Sequence, residues 1–299
     1  MKKYIVSDIH GNGDIYNSIM GYLDNVSLVD DVTLYINGDL FDRGPDSLEV
    51  LLDTKRRIEN NEGFKINYLG GNHELMMYQT LKKRKPGKWI SHWCDWMLNG
   101  GWIIEGKLDC MEDGEAKCDE LRDFVGNLKL YETFEETIGD KPILLVHASA
   151  PKKVENPCMK TISNNDRDTF HMVWDREKDE FGFRNYLGNK DYFTILGHTP
   201  VAAGFHHNKR ENYLNIDGGC AGYAVGQFQY QYVPLIEIMD DYIIILLFNH
   251  NNEIVKGFQF DGRLWELPAK ELEKRKEFID HTYDNQQEKY KQKVLEILQ

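Results

Sequence analysis

Short apolar segments that stop at polar clusters recur along the first two-thirds of the chain. Five of them cover residues 4–6, 32–36, 65–69, 142–146 and 192–196. Continuous apolar runs of this length are typical of strands buried on both faces, with helical segments between them. Ligands bind beyond the carboxyl ends of strands in open α/β sheets, and each of these segments ends beside Asp, Asn or His. The pattern predicts an α/β fold with a site at the strand ends.

Later segments alternate between apolar and polar positions. A sixth apolar run, residues 213–216, ends at Asp217, and residues 233–239, 242–249 and 254–260 then alternate and turn. This alternation is typical of an antiparallel meander. We expect the meander to form a second sheet that packs on the first.

Two further regions have helical patterns. Residues 76–136 contain Trp89, Trp93, Trp96 and Trp102 at near-helical spacing, which predicts a helical cap with most of these rings buried. Residues 268–299 are rich in Glu, Lys and Gln with spaced apolar positions, which predicts an amphipathic helix. Because no linker or repeat interrupts the chain, we expect one domain over residues 1–267, with the cap inserted, and a C-terminal helical extension over 268–299.

Composition and charge narrow the range of partners. The 299 residues include 36 Lys and Arg against 49 Asp and Glu, and this net charge of −13 disfavours a nucleic-acid substrate. The basic run at residues 82–85 is better explained as a solvated loop. The start of the chain lacks the apolar core of a signal peptide, and the longest apolar run, residues 242–248, is too short to span a bilayer.

The number and spacing of the cysteines indicate whether the protein works in an oxidising or a reducing compartment. The five cysteines include no CxxC pair and are odd in number, which favours a reducing environment. We therefore expect a cytoplasmic protein without membrane or nucleic-acid partners. The sequence leaves its oligomeric state open.

The polar residues at the strand ends have the chemistry of metal ligands. Asp8 and His10 lie two positions apart on an extended segment, so both side chains can point at one ion. The other strand ends supply Asp39, Asp42, Asn72, His73, His147 and His198. Oxygen and imidazole donors without a thiolate suit manganese, iron or zinc in an open site rather than a closed structural zinc.

Three blocks of sequence carry a resemblance to a known family. They are Ser7-Asp8-Ile9-His10-Gly11, Gly38-Asp39-Leu40-Phe41-Asp42-Arg43-Gly44 and Gly71-Asn72-His73-Glu74. They resemble the signature of the calcineurin-like metallophosphoesterases, and more narrowly the branch of serine/threonine protein phosphatases and symmetrical dinucleoside tetraphosphatases. Matches at residues 146–148, 174–176, 197–200 and 216–219 extend the resemblance to about residue 225. It implies two packed mixed β-sheets flanked by helices, an α/β/β/α sandwich.

The resemblance also implies a role for each site residue. Asp8 and His10 would bind a first metal, Asp39 would bridge two metals, and Asn72, His147 and His198 would complete the second site. Manganese is the expected metal, with iron or zinc as alternatives. A hydroxide formed between the two ions would attack phosphorus in line. His73, oriented by Asp42, would protonate the leaving alkoxide, and Arg43 and Arg176 would hold phosphate oxygens.

The expected substrate is a phosphorylated serine or threonine in a protein. After Asp217 the chain resembles the bacterial and phage branch of the serine/threonine phosphatases, and the carboxy-terminal signature of the eukaryotic enzymes is missing. A small phosphate ester is therefore another candidate, and a symmetrical dinucleoside tetraphosphatase is the alternative enzyme. A non-catalytic regulatory module on the same scaffold is a third hypothesis, which the intact ligand set disfavours.

Overall fold

Two mixed β-sheets form the centre of the molecule in a computed structural model. The structure describes residues 1–83, 95–152, 157–162, 167–176, 187–224, 226–227, 229, 232–251 and 253–279. In chain order the strands are β1 (Lys2–Val6), β2 (Val32–Asn37), β3 (Lys65–Leu69), β4 (Tyr131–Ile138), β5 (Lys141–Val146), β6 (Phe193–Leu196), β7 (His206–Asn208), β8 (Tyr213–Asn215), β9 (Tyr232–Ile238), β10 (Ile243–Asn249), β11 (Ile254–Phe260) and β12 (Leu264–Glu266).

Helices lie between and after these strands. They are α1 (Gly13–Ser27), α2 (Ser47–Asn60), α3 (Asn72–Lys83), α4 (Trp102–Asp109), α5 (Gly114–Gly126), α6 (Arg167–Trp174), α7 (Cys220–Ala224) and α8 (Ala269–Lys276). A π-helical turn covers Met97–Gly101, and a 3₁₀ turn covers Met159–Thr161. No helix in the described ranges is long and apolar enough to cross a membrane.

Local signals set the ends of the first two helices. The Asn12 side chain accepts a hydrogen bond from the N–H of Ile15 at 3.2 Å, which satisfies a donor that the first turn of α1 leaves unpaired. The helix α2 ends at Asn61, whose φ of 51° suits the left-handed conformation that asparagine tolerates. Asn12 thus marks where α1 begins, and Asn61 ends α2 in time for the chain to return into β3.

The first sheet joins three parallel strands to an antiparallel meander. Its order is β12-β11-β10-β9-β1-β2-β3, with β1, β2 and β3 parallel. The strand β9 pairs antiparallel with β1, where Ile236 lies opposite Ile5. The expectation that the meander forms the second sheet is therefore wrong, because it extends the first one. Pairing with β9 satisfies the backbone groups on the edge of β1 that β2 leaves open.

The second sheet has the order β4-β5-β6-β8-β7. Its strands β5, β6 and β8 are parallel, with β4 and β7 antiparallel at the two edges. The predicted strands at 142–146, 192–196 and 213–216 thus belong to this second sheet. The sequence did not predict β4, β7 and β12, because these edge strands are partly or fully exposed and lack a continuous apolar run.

Alternate residues of β1 face opposite sides of the first sheet. Ile5 belongs to a buried cluster with Ile143 and Ile195 of the second sheet, and none of the three is exposed. Tyr4 and Val6 belong instead to the cluster that includes residues of α1 and α2. Both faces of the sheet are thus covered, as the apolar strands predicted. The α/β architecture of two mixed sheets flanked by helices is confirmed.

The inserted segment is helical in its described part. It contains the π-helical turn, α4 and α5, whereas residues 131–136 of the predicted cap belong to β4. Trp96 is 1% exposed, as expected for most of these rings, whereas Trp102 is 63% exposed. Its ring lines an open cavity instead of packing into the core. Trp89, Trp93 and residues 84–85 of the basic run lie outside the described residues.

The C-terminal helix α8 packs on the first sheet. Leu272 lies over Gly257 of β11, and Arg275 Nη2 donates to Glu237 Oε2 of β9 at 3.0 Å. Residues 280–299 of the predicted extension lie outside the described residues. The division into a domain over 1–267 and an extension over 268–299 stays a prediction.

Candidate metal centre and active site

Strands of both sheets deliver the predicted ligands to the same place. Asp8 and His10 follow β1, Asp39 follows β2, Asn72 follows β3, His147 follows β5 and His198 follows β6. All six are buried, with at most 4% of each residue exposed. The six side chains lie close together because the parallel strands of each sheet end at one edge of that sheet.

Asp39 lies between two groups of donor atoms. One group is His10, Asp39 and His73, and the other is Asp39, His147 and His198, with the candidate atoms of each group within 4.8 Å of one another. The Oδ2 atom of Asp39 is 3.5 Å from His10 Nε2, and its Oδ1 atom is 3.3 Å from His147 Nε2. Each oxygen thus faces a different group, and the bridging role of Asp39 stays a prediction.

Backbone carbonyls orient two of the imidazoles. His10 Nδ1 lies 3.2 Å from the carbonyl oxygen of Phe41, and His147 Nδ1 lies 2.8 Å from that of Asn37. A carbonyl only accepts, so Nδ1 donates in each ring, and Nε2, which faces Asp39, is the nitrogen available to a metal. Burial lowers the pKa of His10 well below its usual value, which keeps this ring neutral and able to bind a metal.

Buried carboxylates give the site an excess of negative charge. Burial and the neighbouring Asp217 raise the pKa of Asp8 well above its usual range. Burial and the charge of Asp39 raise the pKa of Asp217 to about 6. Burial lowers the pKa of His147, but Asp39 and Asp8 outweigh it and raise the value to about 10. The attraction that holds a proton there is equally available to a metal cation.

The surroundings of the Asn72 amide show whether the second donor group could hold a cation. Its amide oxygen lies 2.9 Å from His198 Nδ1, 3.2 Å from His147 Nε2, and 3.1 and 3.3 Å from the carboxylate oxygens of Asp39. With the amide nitrogen there instead, its two N–H groups could donate to two of these atoms but could not bind a cation. The oxygen orientation is the one that a shared cation requires, since it adds a fourth lone pair to the set. The donor set therefore fits a divalent metal ion.

Asp8 lies beside the two groups of donor atoms. Both of its carboxylate oxygens accept the backbone N–H of His198 at 3.1 Å, and the Ser7 hydroxyl donates to one of them. These bonds tie the end of β1 to the end of β6, whereas the metal-binding role of Asp8 stays a prediction. Asp217 is a further buried carboxylate beside these residues that was not predicted, although its position directly after the run 213–216 could have indicated it.

A buried acid–base pair lies next to the metal groups. His73 Nδ1 is 2.7 Å from Asp42 Oδ2, and neither residue is exposed. His73 Nε2 lies 3.2 Å from Arg43 Nη2 and 3.8 Å from Asp39 Oδ2. Although this nitrogen is close enough to be grouped with the ligands, the adjacent guanidinium charge disfavours a metal cation on it. The structure brings the three residues together, and their catalytic roles stay predictions.

The backbone is strained at the site. Eight non-glycine residues in the described ranges have positive φ, and six of them are predicted site residues with φ between 50° and 71°: Asp8, His10, Asp39, Asp42, Arg43 and His198. Left-handed backbone is unfavourable for residues with a Cβ and persists only where surrounding contacts enforce it. These residues turn the chain sharply after β1, β2 and β6.

Glu74 ties two of these turns together. Its buried carboxylate accepts the backbone N–H groups of Asp39 at 2.9 Å, Leu40 at 3.1 Å and Gly71 at 2.7 Å, and the Tyr68 hydroxyl at 2.5 Å. The turns after β2 and β3 are therefore fixed relative to each other. The sequence analysis gave Glu74 no role, although it belongs to one of the motif blocks.

Arg176 lies on the side of the second sheet. It is exposed, and its Nη1 donates to the backbone oxygen of His198 at 3.1 Å and to Thr199 Oγ1 at 3.3 Å. Burial lowers the pKa of His198 well below its usual value, and the charges of His147 and Arg176 add to this effect. Arg176 thus lies beside a predicted ligand, and its phosphate-binding role stays a prediction.

The site residues fall within a region shared with known proteins. The calcineurin-like phosphoesterase family matches residues 1–226. The chain belongs to the calcineurin-like phosphoesterase family. The matched region contains all six ligand candidates together with the His73–Asp42 pair. This family member is therefore a metallophosphoesterase with a buried His/Asp site suited to two metal ions.

Similar proteins have two different activities in their names. The chain is 32% identical over 96 residues to the symmetrical bis(5'-nucleosyl)-tetraphosphatase of Buchnera aphidicola, covering 31% of this chain and 32% of that protein. It is 32% identical over 97 residues to serine/threonine-protein phosphatase 2 of Escherichia coli, covering 32% and 40%. The alignments thus span less than half of each curated relative. A solved serine/threonine phosphatase from Saccharomyces cerevisiae matches 79% of this chain and 72% of its own, with a TM-score of 0.49 and 17% identity.

Proposed function

We propose that this metallophosphoesterase hydrolyses phosphate monoesters, with phosphoserine and phosphothreonine side chains of proteins as its substrates. The observation that carries the proposal is Asp39, whose two carboxylate oxygens face separate donor groups beside the His73–Asp42 pair. Transfer of a phosphoryl group to water needs charge stabilisation on the phosphate and a proton for the leaving group. The site has donors for the first and a buried imidazole for the second.

Six residues hold the metals in the proposed site: Asp8, His10 and Asp39 for one, and Asp39, Asn72, His147 and His198 for the other. Divalent ions held by these residues would supply Lewis acidity to the phosphoryl oxygens and would make the attacking water easier to deprotonate. We propose manganese because the set combines imidazole with oxygen donors and contains no thiolate, with iron and zinc as alternatives.

His73 donates the proton that a leaving alkoxide requires. His73 Nδ1 donates to Asp42 Oδ2, with 2.7 Å between the two atoms, and this bond fixes the ring with Nε2 facing the metal groups. Arg43 Nη2 lies 3.2 Å from this Nε2 atom. A phosphate that binds the guanidinium competes for the same N–H donor and leaves Nε2 free to carry a proton. Arg43 therefore links phosphate binding to the readiness of the acid.

Recognition in the proposed site is concentrated on the phosphoryl group. The planar guanidinium groups of Arg43, which is half-buried, and Arg176, which is exposed, match phosphate oxygens. Such a site requires little of the group that carries the phosphate, which suits phosphorylated side chains on flexible protein segments. The similarity to serine/threonine-protein phosphatase 2 supports this substrate class.

A specific observation favours dinucleoside tetraphosphatase activity as the second candidate. Trp102 is 63% exposed and lines a cavity of about 790 Å³ together with Arg43, Pro45, Ile103 and Met111. Stacking of a base on an aromatic ring contributes about 1–3 kcal/mol. The cavity has room for the base of a nucleotide whose phosphates reach Arg43. The similarity to the tetraphosphatase of Buchnera aphidicola supports this alternative.

Turnover under one metal condition separates the two candidates. We expect manganese-loaded protein to have a higher kcat/KM for phosphothreonine peptides than for diadenosine tetraphosphate. A preference for the dinucleotide of about 10²-fold or more, equivalent to about 2.7 kcal/mol of transition-state binding, would establish the second candidate. Protein that binds both metal ions and hydrolyses neither substrate nor any aryl phosphate would contradict the phosphoesterase proposal itself.

A further inference from the structure

The buried indole of Trp96 lies against the proposed acid pair. Its Nε1 atom is 3.0 Å from Asp42 Oδ2 and 3.1 Å from Asp42 Oδ1, and the residue is 1% exposed. An indole N–H only donates, so the carboxylate accepts from Trp96 through both oxygens and from His73 Nδ1 through Oδ2. In the part of the chain that the structure describes, no other side chain donates to Asp42.

Two glycines let the inserted segment approach the site. A Cβ atom on Gly101 would lie 2.4 Å from carbons of the Trp96 ring, so the indole rests directly on this glycine. Gly100 has φ of 108°, and a Cβ atom on it would lie 2.3 Å from the backbone nitrogen of Arg43. The segment thus runs on top of the Asp42–Arg43 turn, and the backbone itself holds the ring in place.

A buried carboxylate depends on such donors for its orientation. Asp42 is not exposed at all, and burial raises its pKa to about 6, while the hydrogen bonds from His73 and Trp96 oppose this rise. With the indole N–H removed, His73 would be the one side-chain donor left on the carboxylate among the described residues. The carboxylate could then rotate about its terminal torsion, and the imidazole bound to it would lose its fixed direction.

We propose that Trp96 is a positioning residue for the general acid. Its indole N–H holds the Asp42 carboxylate in the orientation that keeps His73 Nε2 directed at the leaving group. The inference rests on the proposed function, and in it Trp96 acts only through Asp42. Loss of the N–H should therefore slow the departure of poor leaving groups, which require a proton, and spare good ones.

The variant Trp96→Phe tests this selectivity. We expect kcat for a phosphoserine peptide to fall about 10- to 100-fold, the range for losing a hydrogen bond to a charged group. For p-nitrophenyl phosphate, whose leaving group hardly needs a proton, the loss should stay below about 3-fold. Metal content and KM should not change. Trp265→Phe is the matched control, because Trp265 is 56% exposed on β12, and it should alter neither substrate.

Two further variants keep the test decisive if Trp96→Phe folds poorly. A benzothiophene analogue of tryptophan at position 96 keeps the shape of the ring and replaces the N–H by sulfur, and it should reproduce the selective loss. In an Asp42→Asn background, Trp96→Phe should add little further loss, because the carboxylate that it orients is already gone.

The outcomes separate this inference from the proposed function. Equal losses for the peptide and the aryl ester, loss of metal, or full additivity with Asp42→Asn would show that Trp96 only packs, and the phosphoesterase proposal would stand. A wild-type protein that binds both metal ions but hydrolyses neither ester would overturn the proposed function and this inference together.

Discussion

The strand ends and the inserted segment contribute to the site in different ways. The ligand candidates follow the ends of paired strands, and all of them are buried. In the inserted segment, two tryptophans six positions apart have opposite environments, since Trp96 is 1% exposed against Asp42 and Trp102 is 63% exposed beside Arg43. The comparison shows that the strand ends bring the donor atoms together, while side chains of the inserted segment contact the residues next to them.

The largest effect is expected from the residue that both donor groups share. Asp39→Asn should remove both metal ions and lower kcat by at least about 10³-fold, roughly 4 kcal/mol, because the Lewis acidity of the pair is lost. Elemental analysis and turnover provide the measurement. The control is Asp119→Asn in the insertion, whose side chain is 71% exposed and which should keep both ions. Full metal retention in Asp39→Asn would refute a bridging role.

A smaller effect is expected at the proposed acid. His73→Asn should lower kcat by about 10²- to 10⁴-fold for an alkyl phosphate and much less for an aryl phosphate, with metal content retained. His206→Asn, at an exposed position of β7, should change nothing. Loss of one metal ion in His73→Asn would mean instead that His73 is a ligand, a role that its place in the His10 group would permit.

A substitution of Glu74 shows whether the turns after β2 and β3 must be held together for metal binding. Glu74→Gln keeps the size of the side chain but weakens the acceptor of three backbone N–H groups, so we expect metal affinity to fall about 10- to 100-fold. The free energy of unfolding should fall by about 1–3 kcal/mol, as expected for a buried hydrogen-bonded network. Metal titration and denaturant unfolding measure these two effects. Glu273→Gln on α8, with 66% of its side chain exposed, should leave both unchanged.

The smallest effect is expected at the exposed ring of the insertion. Trp102→Ala should change kcat/KM for phosphopeptides by less than about 2-fold and stability by less than about 0.5 kcal/mol, because the side chain is largely exposed. If the dinucleoside tetraphosphatase is right, KM for diadenosine tetraphosphate should rise about 10-fold through lost stacking. Steady-state kinetics on both substrates give the comparison, and a large loss on the peptide alone would mean that Trp102 contacts peptide.

Most strands could be predicted because their burial leaves a mark in the sequence. The runs at 65–69 and 254–260 coincide with β3 and β11, and others differ by a residue or two. The grouping of these strands into sheets was wrong, because an apolar run records that a strand is buried and not which strand it pairs with. The pairing of β9 with β1 joins residues more than two hundred positions apart.

For the candidate site too, the residues could be predicted from the sequence but their contacts with distant residues could not. Residue type and position after a strand indicated the metal donors, and the family motifs indicated His73, Asp42 and Arg43. The contact of Trp96 with Asp42 joins residues 54 positions apart, and the near-helical spacing of the tryptophans indicated only packing. Glu74 and Asp217 lay within matched blocks, but their hydrogen bonds and buried charges depend on neighbours from other strands.

The sequence by itself determined most of the strands, the candidate donor atoms and the family, because periodicity, side-chain chemistry and motif spacing are local properties of the chain. Tertiary structure alone decided which sheet each strand joins, which oxygen of Asp39 faces which group, and which tryptophan reaches the acid pair. These features depend on backbone pairing and close packing between distant segments, whose energies come from contacts that no single stretch of sequence contains.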